Sequence, residues 1–165
     1  MLKVKRKTLD QKLQTEAGRA FVTFVFELFR TYSRMNSAGD EITKPFGLSS
    51  ARWRVLGSAC QSPKTVSAIA RERGLTRQSV QQIVDSLTRE GLTKLIDNDR
   101  HKTAKLVAPT REGKSVLLRL NQKATGWMNW VGDSASRSDL DVTIRTLKKI
   151  CARLDQTGER EGQPD

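Results

Sequence analysis

Between Thr65 and Leu92 the apolar residues recur at helical spacing in two short bursts. Val66, Ile69 and Ala70 share one face of the first, and Val80, Ile83, Val84 and Leu87 follow the i, i+3, i+4, i+7 pattern in the second. Each burst carries its own start and stop signals. Thr65 and Thr76 stand where an N-cap hydroxyl would satisfy the open N–H groups of a helix start. Leu75 and Val80 sit at staple positions on either side of the second cap. Gly74 and Gly91 follow the bursts, and glycine readily takes the left-handed conformation that ends a helix. At roughly 100° per residue, Arg77, Gln78, Gln81, Gln82 and Asp85 gather opposite the second apolar stripe. The pattern predicts helix, brief turn, helix.

The next polar and apolar runs predict a hairpin. Leu92 to Asp97 and Ala104 to Pro109 read as strands, joined by Asn98-Asp99-Arg100-His101-Lys102-Thr103. That turn has no apolar side chain to bury and holds three potential cations, so it should project into water or against a polyanion. Two short helices followed by a basic hairpin is the layout of a winged helix-turn-helix, whose second helix enters the DNA major groove. The polar face suits that role: arginine can pair with guanine and glutamine with adenine through two hydrogen bonds. Ser79 lies nearer the edge of the face and could reach a phosphate or a base. Asp85 could accept from cytosine or pair with Arg89 one turn on. An arginine at the wing tip suits a narrow minor groove, where the potential is most negative.

Longer helices flank this core. From about Gln11 to Ser37, Ala17, Ala20, Phe21, Phe24, Leu28 and Tyr32 line one side, and Val22, Val25, Phe26 and Phe29 widen the stripe. That is too much apolar surface for a helix lying on one small core, so burial on several sides, as in a dimer, is expected. Gly39 to Gly47 reads as a break containing Pro45. Ser49 then caps a helix stapled by Leu48 and Trp53, with Trp53, Leu56 and Ala59 facing the core, and Gln61-Ser62-Pro63 ends it. Arg52 and Arg54 beside Trp53 would touch phosphate or stay exposed. After the wing, Thr110 caps a helix striped by Val116, Leu117, Leu120, Ala124, Trp127 and Met128. Ser134 to Ser138 is a polar link, and Ser138 caps a last helix bearing Leu140, Ile144, Leu147, Ile150, Cys151 and Leu154. Thr157 to Asp165 should fray.

Charge sharpens this picture. The chain of 165 residues carries +12 at neutral pH, with a pI of about 10.2. The excess is +6 over residues 1–63 (11 basic, 5 acidic), +5 over 64–114 (11 and 6) and +1 over 115–165 (8 and 7). It lies where a polyanion would bind. Lys3, Lys5, Arg6, Lys7 and Lys12 form a basic arm that is either solvated or in contact with phosphate. No run of about 18 apolar residues suggests a membrane span, and Asp10 and Gln11 fall where a signal peptide needs an apolar stretch; a cytoplasmic protein with no membrane partner is the expectation. Catalytic chemistry is thin. One histidine and two cysteines, Cys60 and Cys151 on apolar helix faces, make no metal set and suit small buried hydrophobes. No P-loop, dinucleotide fingerprint or nucleophile elbow appears. Neither an enzyme nor a cofactor or metal site is expected.

The chain resembles the MarR family of transcriptional regulators. The residues that carry the resemblance are Thr65 to Ala70, Thr76 to Leu87, Glu90-Gly91-Leu92, Asp99-Arg100 and Lys105 to Lys114. The resemblance implies a mainly α fold with a small β-hairpin wing, in which long N- and C-terminal helices dimerise. It organises the chain as an arm and first dimerisation helix (1–40), a winged helix-turn-helix (48–112), C-terminal dimerisation helices (113–156) and a flexible tail (157–165). The polar face makes Thr76, Arg77, Gln78, Ser79, Gln81 and Gln82 the recognition candidates, and the turn adds Arg100, His101 and Lys102 as wing contacts; the resemblance implies that Arg100 is the wing-tip arginine in the minor groove and that Asp99 holds the wing in shape. Family members are mostly repressors, often of adjacent genes, and many are released by small aromatic ligands. Phe46 and Trp53 would border such a pocket or belong to the core. The partners implied are a pseudo-palindromic duplex, with half-sites about 10 bp apart, and a second copy of the chain. A winged-helix protein-interaction module and a basic RNA-binding protein are the alternatives. RNA binders commonly display stacking aromatics, whereas here the aromatics sit at core spacing.

Overall fold

A computed structural model describes residues 15–99 and 104–160, with backbone alone at 157–160. The chain divides into two units, through Leu120 and from Asn121 onward. The first contains all of the winged helix-turn-helix. Helix α1 spans Glu16–Thr43, started by Thr15, whose hydroxyl accepts from the Gly18 N–H at 3.0 Å. The basic arm and the expected start near Gln11 lie outside the described residues.

α1 runs six residues past Ser37, so the break expected from Gly39 is shorter. Gly39 is not a helix breaker here. A Cβ on it would stand 2.7 Å from Ser50 Oγ, so its missing side chain lets the start of the next helix pack against α1. Asp40, beside it, accepts from the Ser50 N–H at 2.7 Å. The real break is the 3-10 turn Lys44–Phe46, which Gly47 closes at φ 65°.

Helix α2 spans Ser50–Gln61, and Ser49 caps it at the Arg52 N–H (3.3 Å). Helix α3 spans Val66–Arg73, with Thr65 capping the Ala68 N–H (3.2 Å) and Gly74 closing it at φ 62°. Helix α4 spans Arg77–Arg89, with Thr76 capping the Ser79 N–H (3.1 Å). Gly91, at φ 73°, closes α4. The Leu92 N–H returns to the Leu87 carbonyl at 2.8 Å and the Gly91 N–H to that of Thr88 at 3.0 Å, the paired bonds of a Schellman stop.

Strand β1 (Thr93–Ile96) pairs antiparallel with β2 (Leu106–Pro109), in the register Thr93 to Pro109 and Ile96 to Leu106. Both are shorter than the sequence suggests. Lys64 adds a one-residue third strand, exchanging backbone hydrogen bonds with Val107 at 2.8 and 3.3 Å. Thr110 caps helix α5 (Arg111–Gly132) at the Gly113 N–H (3.0 Å).

The core collects the apolar faces that the periodicity marks. Val55, Leu56 and Ala59 of α2 meet Ile69 and Ala70 of α3, Val80, Val84 and Leu87 of α4, Val107 of β2, and Val116 and Leu120 of α5. The reading helix is thus held by its apolar stripe, and its polar stripe faces outward. α1 behaves differently. Phe24 and Val25 are half-buried, while Phe21, Val22, Phe26, Leu28, Phe29, Tyr32 and Met35 are exposed. The burial expected of this helix is not met within one chain.

The second unit holds the end of α5 and helix α6 (Arg137–Arg160). Ser136, not Ser138, starts α6. Its hydroxyl accepts from the Asp139 N–H at 3.1 Å and donates to the Asp139 carboxylate at 2.6 Å. An acidic residue three positions after a serine is a stronger start signal than serine alone, and Ser136-Arg137-Ser138-Asp139 carries it. The helix continues to Arg160, so 157–160 are helical where a frayed tail is expected; residues beyond lie outside the described ones. Trp130, Val131, Leu140, Val142, Ile144 and Leu154 are exposed on these helices. Among the described residues no helix is long and apolar enough to cross a membrane.

Candidate nucleic-acid interface

Because Val80, Val84 and Leu87 fix how α4 is rotated, the opposite side is forced outward. Arg77, Gln78, Gln81, Gln82 and Asp85 are all exposed, and Ser79 is half-buried at the edge. Thr76 is exposed too, but its oxygen is occupied by the cap. Asp85 does not await Arg89 as its partner: it accepts from the Gln81 side-chain amide at 2.8 Å.

An open cleft of about 230 Å³ lies beside this face. Its walls are the start of α3 (Thr65, Val66, Ser67), Arg77 and Gln81 of α4, and Leu95, Ala104 and Lys105 of the wing. The cleft brings Lys105 to the same opening as Arg77 and Gln81. Lys105 is a site candidate that periodicity misses, because only the hairpin pairing places it there. At the base of the wing the Asn98 amide donates to the Ala104 carbonyl at 3.0 Å, closing the loop. Asp99 is exposed, and Arg100, His101 and Lys102 lie outside the described residues.

Two polar clusters brace the interface from behind. Arg52 donates to the Gly47 carbonyl at 2.9 Å and pairs with Glu90 at the end of α4, and Glu90 also accepts from Ser86 at 3.0 Å. Glu72 accepts from Ser58 (3.0 Å) and Lys64 (2.5 Å) and pairs with Arg73 (3.1 Å). This second cluster anchors the residue whose backbone extends the wing sheet. Arg52 therefore supports α4 instead of reaching outward. Arg54 turns towards α1, donating to the Tyr32 hydroxyl at 3.3 and 3.4 Å with its guanidinium 5.7 Å from the ring centre. Hydrogen bonds from Asn36 and then Arg54 hold the Tyr32 phenol below its ordinary range.

Both glutamates sit below the usual glutamate range, Glu72 chiefly through Lys64 and Glu90 chiefly through Arg52. A lowered folded-state value means that the stabilisation is complete above the ordinary glutamate range and is lost as the pH falls through the lowered value. Acid should therefore loosen the helix-turn-helix only below the ordinary glutamate range. In Arg52→Ala and Lys64→Ala the cause of that lowering is gone, so each variant should melt lower at neutral pH and lose less further stability on acidification than wild type, as thermal melts across an acid series would show. An acid dependence equal to that of wild type would mean that these pairs are too well solvated to matter.

The remaining candidates are placed as follows. Phe46 and Trp53 are half-buried and pack against the core. Cys60 is half-buried, and burial raises its thiol above the ordinary range, the opposite of an activated nucleophile. Cys151 is exposed, not buried as its helical position suggests, because the face of α6 that carries it is uncovered in one chain. Among the described residues no group of His, Cys, Asp and Glu could hold a metal ion.

Comparison with known proteins agrees with this geometry. An uncharacterized protein of Mycobacterium tuberculosis is 28 % identical over 130 residues, covering 79 % of this chain and 91 % of its own. The transcriptional activatory protein BadR of Rhodopseudomonas palustris is 25 % identical over 146 residues, covering 86 % and 81 %. Among solved structures, the transcriptional regulator BldR of Sulfolobus solfataricus superposes with a TM-score of 0.74 at 18 % identity, over 85 % of this chain and 99 % of its own. CouR of Rhodococcus jostii, bound to p-coumaroyl-CoA, gives 0.71 at 22 % identity over 77 % and 90 %. The repressor CouR on a 23-mer DNA duplex gives 0.69 at 18 % over 84 % and 99 %. Residues 46–102, from the turn before α2 into the wing, match the model of the MarR family. With its outward polar face on α4, its paired wing strands and that match, this segment is a winged helix-turn-helix similar to those of the MarR family of DNA-binding transcriptional regulators.

Proposed function

We propose that the protein is a homodimeric, site-specific repressor of adjacent genes, released from its operator by a small aromatic ligand. The observation that carries this reading is the exposed face of α4, where Arg77, Gln78, Gln81 and Gln82 stand together beside a cleft shared with Lys105. Each protomer inserts α4 into a major groove. Lysines and arginines supply most of the affinity through phosphate, and the glutamines and Arg77 supply base discrimination. Arg100, with His101 and Lys102, reaches the adjacent minor groove from the wing, and Asp99 holds the wing in shape. Two-fold symmetry then requires a pseudo-palindrome with half-sites about one helical turn apart. The binding of CouR to a DNA duplex and to p-coumaroyl-CoA supports both halves of the reading. BadR, an activatory protein, marks activation as the outcome to set against repression.

The test is selection of bound sequences from a randomised duplex pool, followed by anisotropy. A palindrome should emerge. Gln81→Ala should flatten its preference at one base pair per half-site. Arg100→Ala should weaken binding of all sequences and reduce the slope of log affinity on log salt by about one. Duplex should also outcompete single-stranded RNA. Weak, sequence-blind binding would overturn the site-specific reading.

A further inference from the structure

Asp85 is an odd residue to find on the reading face of a chain with a net charge of +12. A carboxylate brought up to a polyanion opposes binding, so its place there asks for a compensating role. Its hydrogen bond along the helix supplies a candidate: Gln81, one turn earlier on the same exposed face, donates its amide N–H to Asp85 Oδ1 at 2.8 Å. A carboxylate has no hydrogen to give, so only the nitrogen side of the amide can face it. The Gln81 carbonyl oxygen is thereby turned away from Asp85, with one N–H of the amide still free.

We infer that Asp85 is a specificity-determining positioning residue, which fixes the orientation of the Gln81 amide so that α4 reads a base bearing an amino group in the major groove. Adenine offers an N6 amino donor beside an N7 acceptor and can satisfy both the carbonyl oxygen and the free N–H. Cytosine offers the N4 donor alone. Guanine and thymine present acceptors, so they engage only the free N–H and leave the carbonyl oxygen without a donor; turning the amide to offer them more sets its oxygen against the carboxylate. In water such a pair biases the amide only about twofold. In a groove, where hydrogen bonds to charged groups are not exchanged for water, the bias reaches about tenfold or more. This inference rests on the proposed site-specific binding and names the base class that the same helix selects.

The experiment compares wild type, Gln81→Ala, Asp85→Ala and the double variant on a randomised duplex pool, with melting curves alongside. The pair read by Gln81 is the one whose preference Gln81→Ala flattens. There wild type should favour adenine, then cytosine, over guanine and thymine by about tenfold or more. Asp85→Ala should shrink that preference to about twofold while the other pairs keep theirs. Its melting temperature should be unchanged, and its affinity for all sequences equal or higher, because a negative charge has gone. In the Gln81→Ala background, removal of Asp85 should leave every base preference as it was. A preference for guanine or thymine at that pair overturns the inference, as does full retention of the preference in Asp85→Ala. So does a change at another pair that persists without Gln81, which would make Asp85 a direct reader of cytosine. If wild type itself selects no sequence, the regulator reading has failed before any variant is compared.

Discussion

Replacing Gly113 with alanine should destabilise the protein by about 3 kcal/mol or more, against the usual direction for a glycine inside a helix. Alanine is ordinarily better there by about 1 kcal/mol. At Gly113 the added Cβ would stand 2.0 Å from the Leu92 carbonyl oxygen, 2.9 Å from its carbon and 3.3 Å from Leu56 Cδ1. The obstacle is backbone, and it is pinned: the same oxygen accepts from the Thr110 N–H at 3.1 Å and from its hydroxyl at 3.3 Å. Overpacking into a tight site costs about 1–3 kcal/mol where side chains can give way, and here α5 or the β1 corner must move instead. For a chain of this size the loss corresponds to a fall in melting temperature of about 6–12 °C. Gly57→Ala in α2 and Gly126→Ala in α5 are the controls. A Cβ at either meets nothing within 4 Å, so each should hold or raise the melting temperature. Equal stability of Gly113→Ala and wild type would mean that the helix–strand corner is far softer than its hydrogen bonds imply.

Gly113 also shows where sequence reading stops. Its neighbours Thr110 and Pro109 announce a helix start, but nothing local says that a carbonyl 21 residues earlier occupies the space a Cβ would need. The same limit explains Gly39, which reads as a breaker yet lies inside α1 because Ser50 needs its space. Arg52, Arg54 and Lys64 are further cases, each defined by a partner on another element. Signals that act within one turn were legible. Ser49, Thr65, Thr76 and Thr110 all cap as their spacing predicts, and Gly74 and Gly91 both take positive φ. The outward face of α4 was legible for the same reason, since the apolar stripe opposite determines it. Lys105 and the cleft were not, because they depend on the register of two strands. Asp85 falls between: two partners lay within one turn of it, and spacing alone does not choose.

The largest effect on DNA binding should come from residues that touch no DNA. Phe26 and Phe29 are 70 % and 66 % exposed on α1, on a face that they share with the exposed Val22 and that Phe21 flanks. A monomeric protein rarely leaves so continuous an apolar surface in water, and covering each phenylalanine would contribute about 1.5–3 kcal/mol. If a second copy of the chain covers that face, Phe26→Glu with Phe29→Glu buries two carboxylates against it and separates the protomers. Light scattering should then show a monomer whose helical content is intact, since neither side chain is buried within its own chain. With the protomers parted, the second half-site is no longer engaged at the effective concentration that a tether provides, and operator affinity should fall by about 10²–10⁴-fold. Base preference within a half-site should survive, because α4 is untouched. A variant that stays dimeric would place the interface elsewhere and leave the α1 face for another partner. One that becomes monomeric without losing affinity would show that a single α4 and wing suffice, and the demand for a palindrome would go with it.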